Sequence, residues 1–369
     1  MKSKTICSLM AWVEINIKAL VSNIKAVKRL AGKNTDVLAV VKANAYGHGL
    51  EKVAKVLDKQ GVKFFGISDI NEGIALRNLG IKKRIMILES VLPENAEYLI
   101  EHNITPVVCS LEVAEALNYF AAKRKKKFCI HVKIDTGMGR FGVCQAKALD
   151  FMRQVRCLPW VVIEGICTHF PLADSDSRFT KNQIKTILML SDKVKKEIKT
   201  IKYVHAANSM GLASFNGQGF NLVRAGLILY GLYPSTKIKR KIKLSSVMSV
   251  KSRICFIKDI SKGRGISYDH SFVAKRKMSV ATVSIGYYDG YLRAFANKAK
   301  VIIHGQLCPV VGNVTMDQIM VDVSCVKSIK IGDEVCVMGR QGNQEVMADD
   351  LAKIVKTINY EIICCLGNR

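Results

Sequence analysis

The sequence predicts an α/β protein: a (β/α)8 TIM-like barrel over residues 13–243, with an amino-terminal extension, 1–12, before it and a mostly β carboxyl-terminal domain, 244–369, after it. Three observations carry this. Up to about Lys243, eight short apolar runs alternate with helix-period segments, and strands alternating with helices imply parallel βαβ units. Residues able to do chemistry follow several of those runs, at the carboxyl strand ends where such barrels carry their active face. Beyond Lys243 strand-like stretches are punctuated by Gly305, Gly312, Gly332 and Gly339, the texture of a separate β domain.

The runs span 37–41, 64–68, 85–88, 106–109, 128–134, 161–168, 203–206 and 222–229, with helical stretches between them that include 111–126 and 180–201. The first run is β-branched and apolar, as a strand buried on both faces would be. It stops at Lys42, and Leu50, Val53, Ala54 and Leu57 then mark an amphipathic helix. An ammonium ion buried at a strand end is costly, and burial frees a lysine's lone pair for Schiff-base or proton-transfer chemistry. A lysine that snorkels to solvent is the plain alternative. Tyr46 can donate a hydroxyl nearby, while Gly47 and Gly49 let other backbone approach.

Asp135 and Arg140 follow the fifth run, His169 the sixth, Asn208 and Ser209 the seventh, and Arg224 lies in the eighth. Each has a structural alternative. Asp135 can cap a turn, His169 can be a core histidine, and Asn208-Ser209 can cap the next helix. Their common placement at strand ends argues for a site. In the second domain, strands are expected over 245–260, 278–285, 299–304, 318–323 and 334–338, and a helix near 348–357.

Lys+Arg number 57 against 30 Asp+Glu, a net charge of +27. The positive residues are scattered, and the densest run, 123–127, ends a predicted helix, where cations complement the dipole. No nucleic-acid motif or aromatic array accompanies them, so the charge reads as a solvated basic surface able to attract anions, with no nucleic-acid partner. The twelve cysteines show no C-x-x-C pair and many lie in apolar runs, which suits reduced buried thiols in a cytoplasmic protein better than disulfides or a metal site. The apolar patch at 6–13 is too short to span a membrane and lacks a clear cleavage pattern.

Six separated motifs accompany Val40-Val41-Lys42-Ala43-Asn44-Ala45-Tyr46-Gly47-His48-Gly49. They are Lys133-Ile134-Asp135-Thr136-Gly137-Met138-Gly139-Arg140, His205-Ala206-Ala207-Asn208-Ser209, Val223-Arg224-Ala225-Gly226, Gly265-Ile266-Ser267-Tyr268, Ile285-Gly286-Tyr287 and Val311-Gly312-Asn313-Val314-Thr315-Met316-Asp317-Gln318. In this order and spacing they resemble the alanine racemase family from about Trp12 to the last residue.

The resemblance implies pyridoxal 5'-phosphate (PLP) held covalently by Lys42, and a small amino-acid substrate. It places Tyr46, Ser209 and the backbone of Gly226 and Leu227 at the phosphate, Asn208 and His169 beside the cofactor, and Arg224 at the pyridine nitrogen. Arg140 would lie near the phenolic oxygen and the substrate carboxylate. Lys133, carbamylated in some relatives, His205 and Asp317 would support these groups. The family forms a homodimer in which the partner subunit supplies Tyr268, Tyr287 and Met316. Lys42 would serve the D-isomer face and Tyr268 the L-isomer face, supplying D-alanine for peptidoglycan.

Arg224 argues against a PLP decarboxylase on the same plan, which would need an acid there. The second domain argues against a non-catalytic PLP carrier. Three departures stand out. Thr315 replaces the cysteine of many relatives. Asp269 replaces a common glycine, and its carboxylate either faces Tyr268, weakening that base, or turns away. The chain ends at Asn368-Arg369 where relatives often continue, and Asn368 stands in place of a tyrosine, which suggests room for serine as a side substrate.

Overall fold

The computed structural model describes residues 10–215, 217 and 219–367. The chain divides into two compact units. The first comprises 17–45 and 49–245. The second takes in residues 10–16, the short stretch Tyr46–His48, and residues 246–367.

The first unit is a nearly closed parallel barrel. Its strands, in chain order, are Asp36–Val40, Phe64–Ile67, Arg84–Ile87, Ile104–Val108, Phe128–Asp135, Val161–Cys167, Tyr203–His205 and Leu222–Ala225. Neighbours in sequence are neighbours in the sheet, and the last pairs in parallel with the first, Arg224 opposite Leu38. At the remaining seam the Arg224 N–H donates to Ala207 O at 2.9 Å. These strands are buried nearly end to end, as parallel strands covered on both faces must be. Some of the helices begin at side-chain caps. Ser110 accepts from Val113 N before Leu111–Lys123, and Asp176 accepts from Phe179 N before Ser177–Glu197.

Two boundaries differ from the sequence expectation. The eighth run stops at Ala225, because Gly226 leaves extended geometry and Leu227–Tyr230 coils into a 3-10 turn. The barrel unit begins with the helix Ile17–Ala31 and not at residue 13. Residues Ala11–Ile15 instead form a strand antiparallel to Met248–Ile260, with Ala11 opposite Ser252 and Ile15 opposite Met248.

The second unit is built on an antiparallel sheet. Its strands run Gln306–Pro309, Lys300–Ile303, Glu334–Gln341, Met248–Ile260, Met278–Val283 and Ile319–Asp322 in spatial order. Two helices, Ala348–Val355 and Asn359–Leu366, complete it. The second helix was not expected, since its short apolar run reads equally as strand or helix. It holds the 46–48 stretch closely: a Cβ on Gly47 would come within 2.6 Å of Ile363 O. Among the described residues, no helix is long and apolar enough to cross a membrane.

Candidate active site

Lys42 leaves the first barrel strand into a turn of unusual hand. Ala43, Asn44, Ala45 and Tyr46 all have φ between 52° and 56°, a left-handed conformation that costs about 1–2 kcal/mol per residue outside glycine. Local bonds hold it. Ala45 N donates to Val41 O, Gly49 N to Asn44 O, and Leu50 N to the Asn44 side chain at 2.7 Å. Asn44 thereby satisfies the first N–H of the helix Leu50–Lys59, whose N-cap is Gly49. The Tyr230 hydroxyl donates to Val40 O at 2.9 Å and anchors the strand end. The structure corrects one expectation: Lys42 is not stripped of water. Its side chain keeps 32% exposure, and its Nζ lies 2.9 Å from Glu89 Oε1. The strand ends before Lys42, so the side chain emerges at the barrel mouth instead of within the core. The Tyr46 ring lies 6.2 Å from that of Tyr360, within the second unit.

Arg224 is buried and makes five hydrogen bonds. Nη1 reaches His205 Nδ1 (2.7 Å) and His205 O (3.1 Å), and Nη2 reaches Thr168 O (2.8 Å), Ala206 O (2.9 Å) and His169 Nδ1 (3.3 Å). An arginine only donates, so both histidines present unprotonated Nδ1 atoms and carry their proton on Nε2. His205 Nε2–H then donates to His131 Nδ1 at 2.9 Å. His131 in turn points its Nε2–H toward Glu164, 3.9 Å away and beyond hydrogen-bond reach. Glu164 pairs with Arg84. Burial, then the nearby Arg224 charge, pushes His205 well below its usual range and His169 down to about 2. Both rings are neutral, which the bond directions require. Burial would raise Glu164, but the His131 and Arg84 side chains outweigh it and leave the carboxyl at about 2.

Lys133, in the fifth strand, is buried with its Nζ 5.3 Å from the Phe141 ring centroid. Burial brings it down to about 8, with Arg224 and Arg140 adding to the fall and Cys167 and Glu89 opposing it. Asp135 does cap a turn, since its carboxylate accepts from the backbone N–H of Gly137, Met138 and Gly139. This shapes the loop that presents exposed Arg140, whose guanidinium lies 5.4 Å from the Phe141 ring. Asn208 also caps a helix, accepting from Gly211 N and donating to Phe170 O. Ser209 Oγ accepts the Gly226 N–H at 3.0 Å, joining the starts of the two turns after the seventh and eighth strands. No side chain caps the turn that begins at Leu227.

In the second unit, Tyr268 is 69% exposed, Met316 52% and Tyr287 44%. Tyr287 N donates to Thr315 O, and the Thr315 hydroxyl both donates to Gln318 O (2.8 Å) and accepts from Gln318 N (3.1 Å), closing the turn that carries Met316 and Asp317. Gly286 is required there, because a Cβ would sit 2.2 Å from Met316 O. Asp317 is exposed and makes no side-chain bond among the described residues. Asp269 has φ 60°, the left-handed region open to glycine and tolerated by aspartate. Its carboxylate accepts from the Asn313 amide at 3.4 Å, and the same amide donates to Tyr268 O. Asn368 lies outside the described residues.

The barrel residues expected to act together are thus joined by bonds and fields: Lys133, Arg140, His169, His205, Ser209, Arg224 and Gly226. Residues 15–234 match the model of the alanine racemase N-terminal domain, and 247–369 that of the C-terminal domain. The chain belongs to the alanine racemase family. The alanine racemase of Halothermothrix orenii is 39% identical over 359 residues, covering 97% of this chain and 95% of that one. A solved alanine racemase of Clostridium difficile 630 aligns with TM-score 0.92 at 38% identity, covering 97% and 94% of the two chains. That of Bartonella henselae, described with covalently bound pyridoxal phosphate, aligns with TM-score 0.84 at 28% identity over 98% of each chain. Alanine racemases are isomerases, and this chain is an enzyme of that class.

The residues present fit such a cofactor. Nη1 and Nη2 of Arg224 are engaged, but its Nε–H takes none of those five bonds, leaving one donor of a buried guanidinium for an acceptor such as a ring nitrogen. Lys42 supplies a primary amine on the same barrel face. Sequence reasoning missed Glu89, Asn44, His131 and Glu164. Glu89 follows the third run directly, so the strand-end criterion that singled out Lys42 would also have found it. His131 and Glu164 lie inside strands, and only their partners on other strands, His205 and Arg84, reveal them.

Proposed function

We propose that this enzyme interconverts L- and D-alanine with PLP as cofactor and one base on each face of Cα. When bound, PLP draws electrons from Cα and makes its hydrogen removable. Lys42 would hold it, with Tyr46, Ser209 and the backbone of Gly226 and Leu227 at the phosphate, the Gly226 N–H exchanging Ser209 Oγ for the anion. Asn208 would act through the helix it caps, and His169 would link Arg224 toward Tyr268. Arg140 would orient the substrate carboxylate, supported by Lys133, His205 and Asp317. Near neutral pH a fraction of Lys133 is the free amine that carbamylation requires.

The observation that carries this reading is the guanidinium of Arg224. It cannot surrender its proton at working pH, and its acceptors are already in place. Keeping its proton, Arg224 would leave a cofactor ring nitrogen unprotonated and so limit electron withdrawal. That favours removing and returning one proton over decarboxylation. Lys42 would hold or return the proton on the D-isomer face. Tyr268 of the partner subunit does so on the L-isomer face, with Tyr287 and Met316 of that subunit lining the substrate pocket. A homodimer with shared sites follows from this division of labour.

We place the enzyme in the cytoplasm, supplying D-alanine for peptidoglycan. Free thiols, among them Cys167, Cys308 and Cys336, suit a reducing compartment. Serine would be a side substrate if Asn368 opens the pocket, and Asn368→Tyr should then lower kcat/KM for L-serine relative to L-alanine. The main test is single-turnover exchange in deuterium oxide. Tyr268→Phe should impair deuterium incorporation from L-alanine far more than from D-alanine. Equal losses would refute the two-base assignment.

A further inference from the structure

Glu89 follows the strand Arg84–Ile87 and stands among the cations of the barrel mouth. Its Oε1 lies 2.9 Å from Lys42 Nζ, with 30% of the side chain exposed. Burial works to raise its pKa, but the bond to Lys42 and the charges of Lys42, Arg140 and Lys133 outweigh it and keep the carboxyl below its usual range. The nearby Asp135 is committed to its own loop N–H groups. Glu89 is therefore the carboxylate that answers three cations.

We propose that Glu89 is a positioning residue that holds Lys42 in an ion pair and sets the rate at which this lysine captures an aldehyde cofactor. This rests on the reading of Lys42 as the cofactor-bearing lysine. An ammonium against a carboxylate is a poor nucleophile, because the lone pair is occupied by the proton. Capture joins Nζ to the aldehyde carbon and breaks its bond to oxygen. Two of the three ammonium hydrogens leave with that oxygen as water, and the third, with the positive charge, stays on nitrogen. Glu89 must release Lys42 for this to happen, and Arg140 and Lys133 then remain as the cations facing its carboxylate.

The test uses the full-length protein, freed of carbonyl compounds with hydroxylamine and dialysed. Wild type, Glu89→Gln and Glu89→Asp are mixed with PLP and, separately, with pyridoxal, which lacks the phosphate. Capture is followed by absorbance, then by borohydride reduction and peptide mapping of Lys42. Glu89→Gln should capture both aldehydes about two- to fivefold faster than wild type, the scale of a partly exposed ion pair. Glu89→Asp, which keeps the charge, should stay within about twofold of wild type. Equal rates in wild type and Glu89→Gln overturn the proposal. So does acceleration with PLP alone, which would reduce Glu89 to repelling the phosphate. A wild type labelled elsewhere than Lys42 overturns the cofactor reading itself, and the proposal with it.

Discussion

The Nη1 of Arg224 lies 2.7 Å from Nδ1 of His205, and the bond runs in one direction only. It fixes the proton of His205 on Nε2, passes the same tautomer to His131, and directs the row of rings toward Glu164. The polarity of this row originates in a side chain with no alternative protonation state.

Arg224→Met should therefore do more than remove a contact. It leaves the carbonyls of Thr168 and Ala206 without their guanidinium donor inside the barrel. A loss of about 1–3 kcal/mol is expected, the cost of leaving a buried acceptor unsatisfied. Urea unfolding of the variant and wild type measures it. A loss below about 1 kcal/mol, the scale of a single ordinary hydrogen bond, would mean that the guanidinium does not organise the barrel mouth.

Lys133 gives a pH dependence with a definite sign. Its folded pKa of about 8 lies below the ordinary lysine value of 10.5. Between those two values the unfolded chain binds more protons, so stability rises with pH across that window. The full penalty, about 3 kcal/mol from the size of the shift, is present below pH 8. Lys133→Met should flatten the rise from pH 8 to 10.5 in chemical unfolding. An unchanged slope in the variant would assign the rise to other groups.

Much of the fold was legible because parallel barrel strands are continuous apolar runs and their polar successors mark the mouth. All eight strands were found, and so was the strand-end placement of Lys42, Asp135, His169 and Asn208. The exposure of Lys42 was not. An apolar run shows that a strand is buried, but it cannot show whether the next side chain turns inward or meets a carboxylate forty-seven residues later. Gly226 likewise ends the last strand by its backbone, not through any change in hydropathy. The pairing of Ala11–Ile15 with Met248–Ile260 links distant segments, and local periodicity carries no trace of it.

The left-handed turn after Lys42 predicts a trade between stability and activity. Ala43 at φ 52°, ψ 56° is strained, and Ala43→Gly removes about 1–2 kcal/mol of that strain. The greater entropy of glycine in the unfolded chain offsets part of the gain. Net stability should rise by up to about 1 kcal/mol, while kcat falls because Lys42 is held less firmly. Thermal unfolding and racemisation kinetics on the same preparation check both signs. A variant that gains stability without losing kcat would separate the strain from catalysis.

Under the proposed function, each site joins Lys42 of one subunit to Tyr268 of the other. Lys42→Ala and Tyr268→Phe proteins, each inactive alone, are unfolded together and refolded as an equal mixture. Statistical pairing makes half the dimers mixed, and a mixed dimer of this symmetry holds one intact site. Racemisation of L-alanine by the mixture should therefore reach about a quarter of the wild-type rate per subunit. No recovery, with mixed dimers confirmed by native mass spectrometry, would contradict the shared site.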